Sequence, residues 1–225
     1  MNILAVSCIH NDVENLMGFI DKVSLLEFDV ILCPGDFTDY NFPRGFDRID
    51  MVKLIIEEFG GLKRPMLAVP GTWDKDIIDL LDREKMSIHG KGKIVNGIGF
   101  YGFGGAKTPF NTPFEPDDDM IYNGLGKAYE EIKNAKIKIQ LTHAPPARTK
   151  LDIIASGAHV GSEAVRKFIE EKQPAAAICS HIHESRGVDS IGNTKILNSG
   201  RFPEGYCGLI SVSNNDVDMK IINLI

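Results

Sequence analysis

Five short apolar runs in this chain each stop at a polar, chemistry-bearing residue, and this punctuation constrains the fold more than any other feature. They are "ILAVSCIH", "DVILCPGDFTD", "MLAVPGTWD", "KIKIQLTHAPP" and "AAAICSHIH". In the first half, apolar residues between the runs recur at helical spacing. Val13, Leu16, Met17, Ile20 and Val23 form one set, Ile49, Val52, Ile56 and Phe59 a second, and a short helix fits Ile77 to Leu81. Strand and helix alternating in this way predict a parallel sheet flanked by helices.

After Gly90 the texture changes. Gly-punctuated strands in "KIVNGIGFYGFGG" lead into the Pro-rich loop "KTPFNTPFEPDD", a helix over about residues 117 to 134, a strand in "KIKIQLTH" and a helix over 161 to 172. "AAAIC" then precedes closing strands at "TKILN", "YCGLISV" and "VDMKIINL". This half reads as more antiparallel. The expected architecture is α/β, two mixed β-sheets packed as a sandwich flanked by helices, in a single domain over residues 1–225.

Ligands of open α/β sheets bind outside the carboxyl ends of the strands. Cys8, His10, Asp36, Asp39, Thr72, Asp74, His143, His181 and His183 all fall there, including four of the six histidines. Imidazole and carboxylate are the donor set of Zn, Mn, Fe and Ni sites, and a carboxylate can bridge two cations. On an extended segment His181 and His183 share one face; in a turn they can straddle two metals. Cys8-Ile9-His10 reads either as half a metal site or as two unrelated residues. "CPGD" and "VPGT" are strand, Pro-Gly turn, polar residue, a geometry that presents the next side chain at the sheet edge. His89, in a polar turn, is expected to be solvated. His159, ahead of a helix start, is placed to meet an anion.

The 225 residues carry a net charge of −6 and no Lys/Arg run. Such a field disfavours nucleic acid as a generic ligand and leaves a small phosphorylated substrate compatible. No stretch approaches the ~18 apolar residues of a membrane span, so a soluble, unexported protein is expected. Four cysteines stand far apart without a CxxC pair, which suits reduced, buried thiols and the cytoplasm. Nothing in the pattern specifies an oligomeric state.

Taken in order, Cys8-Ile9-His10, Gly35-Asp36-Phe37-Thr38-Asp39, Gly71-Thr72-Trp73-Asp74, His143 and Ser180-His181-Ile182-His183 resemble the motifs of the calcineurin-like metallophosphoesterases. Those motifs read D-x-H, G-D-x-x-D, G-N-H-D or G-N-C-D, a lone H, and G-H-x-H. The match runs from residue 1 to about 205. "YGFGGAKTPFNTPFE", "HAPPARTKLD" and "HIHESRGVD" look like a branch of small predicted phosphoesterases from prokaryotes.

The resemblance implies a two-sheet sandwich and one or two divalent metals, Mn, Zn, Fe or Ni. One cation would be held by His10, Asp36 and His183, the second by Asp36, His143 and His181, with Asp36 bridging. It implies hydrolysis of a phosphomonoester or phosphodiester by metal-activated water, with Asp36 and His143 at the reacting centre. Arg148 and Arg201 are candidate phosphate contacts. The chain departs from the family pattern at Cys8 for aspartate, Thr72 for asparagine, Trp73 for histidine and Ser180 for glycine. Cys8 as thiolate would favour Zn or Fe(II). Thr72 occupies a ligand position with a weak donor, Trp73 cannot protonate a leaving group, and Asp74 becomes a turn or supporting residue. These substitutions also admit a second class, a binding or scaffold protein without useful turnover, as in the retromer subunit of this fold.

Overall fold

The computed structural model describes residues 1–213 and 216–225. Its strands are β1 (Asn2–Ala5), β2 (Val30–Cys33), β3 (Met66–Ala68), β4 (Lys91–Val95), β5 (Ile98–Phe103), β6 (Ile137–Thr142), β7 (Ala176–Cys179), β8 (Gly187–Ile191), β9 (Thr194–Asn198), β10 (Tyr206–Ser213) and β11 (Asp216–Asn223). The helices are α1 (Val13–Ser24), α2 (Arg48–Gly60), α3 (Ile78–Arg83), α4 (Asp118–Glu131) and α5 (Glu163–Lys172). Side-chain oxygens of Asp12, Asp47, Asp117 and Ser162 cap α1, α2, α4 and α5, satisfying N–H groups that a helix start leaves open.

One sheet has the order β11-β10-β1-β2-β3, the other β4-β5-β6-β7-β9-β8. Period-two alternation divides each strand between two layers. Ile3 and Ala5 of β1 join Leu32, Leu67, Phe100, Ile139, Leu141 and Ile178 in a core between the sheets. Leu4, Ile31 and Ala68 face the other way onto Leu16, Val23, Val52, Ile55 and Phe59 of α1 and α2. Tyr101, Ala177 and Ile196 of the second sheet meet Leu125, Val165, Phe168 and Ile169 of α4 and α5. The result is the expected α/β sandwich with helices outside both sheets.

The second half is more antiparallel than the first, as expected, with β4 and β8 running against their neighbours and β10 and β11 against each other, but its central strands β5, β6, β7 and β9 pair in parallel, which the sequence did not signal. The antiparallel β10–β11 hairpin belongs to the first sheet, where β10 pairs with β1. Strand β8, in "GVDSI", also went unread, because its alternate residues are too polar and exposed to carry an apolar signal.

The first-sheet strands β1 to β3 and the second-sheet strands β5, β6, β7 and β9 thus end their parallel runs toward loops that carry the polar motifs. Backbone pairing continues past the strands. Cys8 N–H donates to Gly35 O, and Ile9 and His10 N–H to Asp36 O, while Ser180 N–H donates to His143 O. Each motif loop is therefore stitched to its neighbour.

Candidate metal centre

The two Pro-Gly turns meet at van der Waals limits. A Cβ on Gly35 would lie 2.4 Å from Gly71 N, and one on Gly71 would lie 2.1 Å from Asp36 Oδ1. Glycine at both positions lets the loops after β2 and β3 close on each other. Cys8, His10, Asn11, Asp36 and His181 all have positive φ between 51° and 74°, a region costly to non-glycine residues that concentrates at functional sites. Asp74 fastens the cluster: its buried carboxylate accepts from Phe37 N, Thr38 N, Thr38 Oγ1 and Gly71 N at 2.8–3.1 Å. Burial and the nearby Asp36 carboxylate push the Asp74 carboxyl above its ordinary pKa.

Asp36, 2% exposed, divides its oxygens between two tasks. Oδ1 accepts from Trp73 N at 3.2 Å and from the Thr72 hydroxyl at 3.2 Å. Oδ2 lies 3.2 Å from His143 Nε2 and 3.7 Å from His10 Nε2. His143 is wholly buried, and its Nδ1 sits 2.6 Å from Pro34 O. A carbonyl only accepts, so Nδ1 carries the proton and Nε2 is aimed into the site, the orientation that an outer hydrogen bond gives a ligating histidine. His181 Nδ1 lies 3.2 Å from that Nε2, and His183 Nε2 lies 3.4 Å from His10 Nε2.

Two donor groups result: Cys8, His10 and His183, and Asp36, His143 and His181, with the donor atoms of each group within 4.8 Å of one another. Tetrahedral coordination with ~2.1 Å bonds places donors about 3.4 Å apart, so the spacing and the donor types fit divalent cations. The electrostatics agree. Burial opposes protonation of His143, but the Asp36 carboxylate overrides it and raises the pKa to about 9. Burial opposes ionisation of Asp36, yet His143 and His10 hold its carboxyl well below the usual range. Burial and the neighbouring His143 drop His181 to about 3, and burial also lowers His183. For His10, burial is outweighed by Cys8 and Asp36, and the pKa rises. The cradle thus favours positive charge beside Asp36, while burial disfavours protonation of His181 and His183 and leaves those imidazoles neutral.

Cys8 is buried at the end of a hydroxyl relay. Ser7 Oγ donates to Gly200 O at 2.8 Å, Ser180 Oγ donates to Ser7 Oγ at 2.9 Å, and Cys8 Sγ lies 2.7 Å from Ser180 Oγ. With the Ser180 proton committed to Ser7, a thiol at Cys8 donates to Ser180; a thiolate would accept that proton instead. The serine that replaces the expected glycine therefore touches the cysteine that replaces the expected aspartate.

Other expectations fare differently. Thr72 lies at the site, but its hydroxyl is directed to Asp36. Arg201 pairs with Asp12 at 3.5 Å and Glu204 at 3.7 Å, and its charge contributes to the lowered pKa of His183. Arg148 is paired with Glu163 and largely exposed, because the loop after β6 turns its side chain toward α5. His89 is half-buried and not fully solvated: it packs on Phe103 and Phe114, accepts from Gly104 N–H through Nδ1 at 3.0 Å, and burial drops its pKa to about 4. His159 spends its Nδ1 on Asp152, 2.7 Å away, so that nitrogen faces a carboxylate and not an anion site. Asp152 was missed by sequence reasoning. It also accepts from the backbone N–H of Arg148, Thr149 and Gly161, and its only sequence signal was a carboxylate in a Gly-rich loop.

A family model described as calcineurin-like phosphoesterase matches residues 1–185, and the chain belongs to that family. It is 40% identical over 186 residues, 79% of each chain, to the uncharacterized protein MJ1162 of Methanocaldococcus jannaschii. Among solved structures it is similar to TT1561 of Thermus thermophilus, with TM-score 0.73, 21% identity, and 100% of this chain and 99% of that one covered. A dimetal phosphatase from Danio rerio shares the fold, with TM-score 0.67, 8% identity, and coverage of 100% and 96%.

Proposed function

We propose that this protein is a metal-dependent hydrolase of a phosphomonoester or phosphodiester, acting as a single domain over residues 1–225 at a dinuclear centre. The observation that carries the reading is the position of Asp36 Oδ2, which faces His10 and His143 at once and so can be shared by two cations. Divalent cations held there supply charge that clamps a phosphoryl group and acidify water to a nucleophile near neutral pH.

In this reading His10, His183 and Cys8 would hold one cation, and His143 and His181 would hold the other. Thr72 Oγ1 and Trp73 N–H fix Asp36 so that Oδ2 stays central, and Thr72 would serve as an orienting donor and not as a ligand. His143, fixed by Pro34 O, borders the reacting phosphoryl group. The Trp73 indole is too weak an acid to protonate a leaving oxygen, so esters with good leaving groups react best. Arg201, beside His183, is the candidate phosphate contact. Cys8 as thiolate shifts metal preference toward Zn or Fe(II) over Mn. The four free, buried cysteines accord with a reducing cytoplasm, and among the described residues no helix is long and apolar enough to cross a membrane.

The test is hydrolysis of bis(p-nitrophenyl) phosphate and p-nitrophenyl phosphate by chelator-stripped protein resupplied with Zn, Fe(II), Mn or Ni. Turnover should return with at least one metal and fall most for Asp36→Asn, less for His143→Ala or His181→Ala alone. Asp36→Asn turning over as fast as the parent would exclude the shared-carboxylate mechanism. Metal binding without turnover of any ester would favour the scaffold reading, which the replacements at Cys8, Thr72 and Trp73 motivate.

A further inference from the structure

The cavity that opens onto His10, Asp36, His181 and His183 measures about 350 Å³. Its floor is polar, but most of its wall is formed by Trp73, Pro109, Phe110, Ile154, Val160 and Ile182, and the Thr108 and Thr112 hydroxyls that also line it are turned to Glu115. Three separate loops supply most of that wall: the turn after β3, the segment between β5 and α4, and the segment between β6 and α5. Phe110 is 78% exposed and Val160 40% exposed, so large apolar side chains stand in water at the rim. Lys107 is the one cationic side chain in the wall among the described residues.

Hydrogen bonds hold these loops in place. The Glu115 carboxylate accepts from Thr108 Oγ1 and from Thr112 N and Oγ1 at 2.5–2.8 Å, and Phe114 N–H donates to Thr72 O at 2.9 Å. On the opposite side Asp152 gathers Arg148 N, Thr149 N, Gly161 N and His159 Nδ1, which sets Ile154 and Val160 facing the cavity. A polyphosphate or a sugar phosphate brings charges and hydroxyls that must be paired when they leave water, and this wall offers them little. An apolar body brought against it gains by burial, and flat faces at Trp73, Pro109 and Phe110 suit a ring.

We infer that the substrate is a phosphoester carrying an apolar, preferably aromatic, substituent, which lies against Trp73, Phe110 and Val160 while its phosphoryl group reaches Asp36 and the histidines. This inference rests on the phosphoesterase reading above and names the substrate class for that site.

Trp73 is the single tryptophan of the chain, so its fluorescence reports directly on the cavity. The Zn-loaded protein is titrated with phenylphosphonate and with methylphosphonate, which share the anionic head and resist hydrolysis. The expected result is saturable change with both and a Kd at least about tenfold lower for the phenyl compound. Phe110→Ser, at an exposed position, should shrink that ratio, and Val160→Ser should do so independently. Equal affinities, tighter methylphosphonate, or no saturable change with either would overturn the inference.

A parallel assay compares p-nitrophenyl phenyl phosphate with p-nitrophenyl methyl phosphate, whose leaving group is the same. Turnover of both at equal kcat/KM would refute the substrate class and leave the hydrolase standing. No turnover of either or of p-nitrophenyl phosphate, with the phosphonate preference intact, would refute the hydrolase and support the ligand class.

Discussion

Replacing Gly71 with alanine tests whether the close approach of two loops sets the metal centre. The added Cβ would sit 2.1 Å from Asp36 Oδ1, 2.2 Å from Asp36 N and 2.6 Å from Asp36 Cγ, where ordinary contact begins at 3.4 Å. One loop must therefore retreat by about 1.3 Å. Two of the three clashing atoms are the Asp36 carboxylate, but the third is backbone, so a rotamer change alone does not relieve the overlap. Movement on that scale disrupts the 3.2 Å and 3.7 Å spacing of Asp36 Oδ2 from His143 and His10 and weakens the bond from Gly71 N–H to Asp74. Overpacking of this kind costs about 1–3 kcal/mol, and misplacing a supporting group typically lowers metal affinity about 10–100-fold. Urea unfolding of the metal-free protein and chelator-competition titration with Zn measure the two effects separately. Gly18→Ala is the control: it lies inside α1, where an added Cβ meets nothing within 4 Å, and should be neutral or stabilising by up to about 1 kcal/mol. A Gly71→Ala protein with parental stability and Zn affinity would refute the reasoning.

Cobalt substitution tests Cys8: the parent should show a thiolate-to-cobalt charge-transfer band that Cys8→Ser abolishes, while Cys8→Asp should shift preference from Zn toward Mn and raise hydrolysis with Mn. Identical spectra and metal preference in all three proteins would make Cys8 a packing residue. His89 predicts acid sensitivity. Its folded pKa of about 4 lies below the ordinary 6.5, so the unfolded chain takes up a proton that the fold refuses. Its contribution is complete above pH 6.5 and is lost as pH falls toward 4, amounting to about 3 kcal/mol. His89→Gln should lose less stability than the parent between pH 7 and pH 4.5 in urea titrations, and parallel curves would contradict the assignment. Thr72→Val, which removes a donor to Asp36 Oδ1, should lower Zn affinity less than Asp36→Asn does in the same chelator titration; equal losses would make Thr72 a ligand in its own right.

The strand-end motifs were legible because strand, tight turn and polar side chain are local signals. His10, Asp36, His143, His181 and His183 fall together for the reason that put them in sequence at the ends of apolar runs. What escaped depends on partners far away in the chain. Ser180 acquires meaning only from Cys8 and Ser7, more than 170 residues earlier. His89 reads as polar until Phe103 and Phe114 cover it. Arg148 resembles a phosphate contact until Glu163 takes its guanidinium. The parallel pairing of β5, β6, β7 and β9 went unread because an apolar run carries no arrow. The short β8–β9 hairpin lets β9 return parallel to β7 without an α-helix between them.

Anomalous diffraction from crystals grown with Zn, recorded on either side of the Zn absorption edge, tests the central claim most directly. Two peaks are expected, one bonded to Cys8, His10 and His183 and the other to His143 and His181, with Asp36 Oδ2 within reach of both. A map with no Zn peak among these residues, or with Zn bound only elsewhere, would contradict the shared-carboxylate centre.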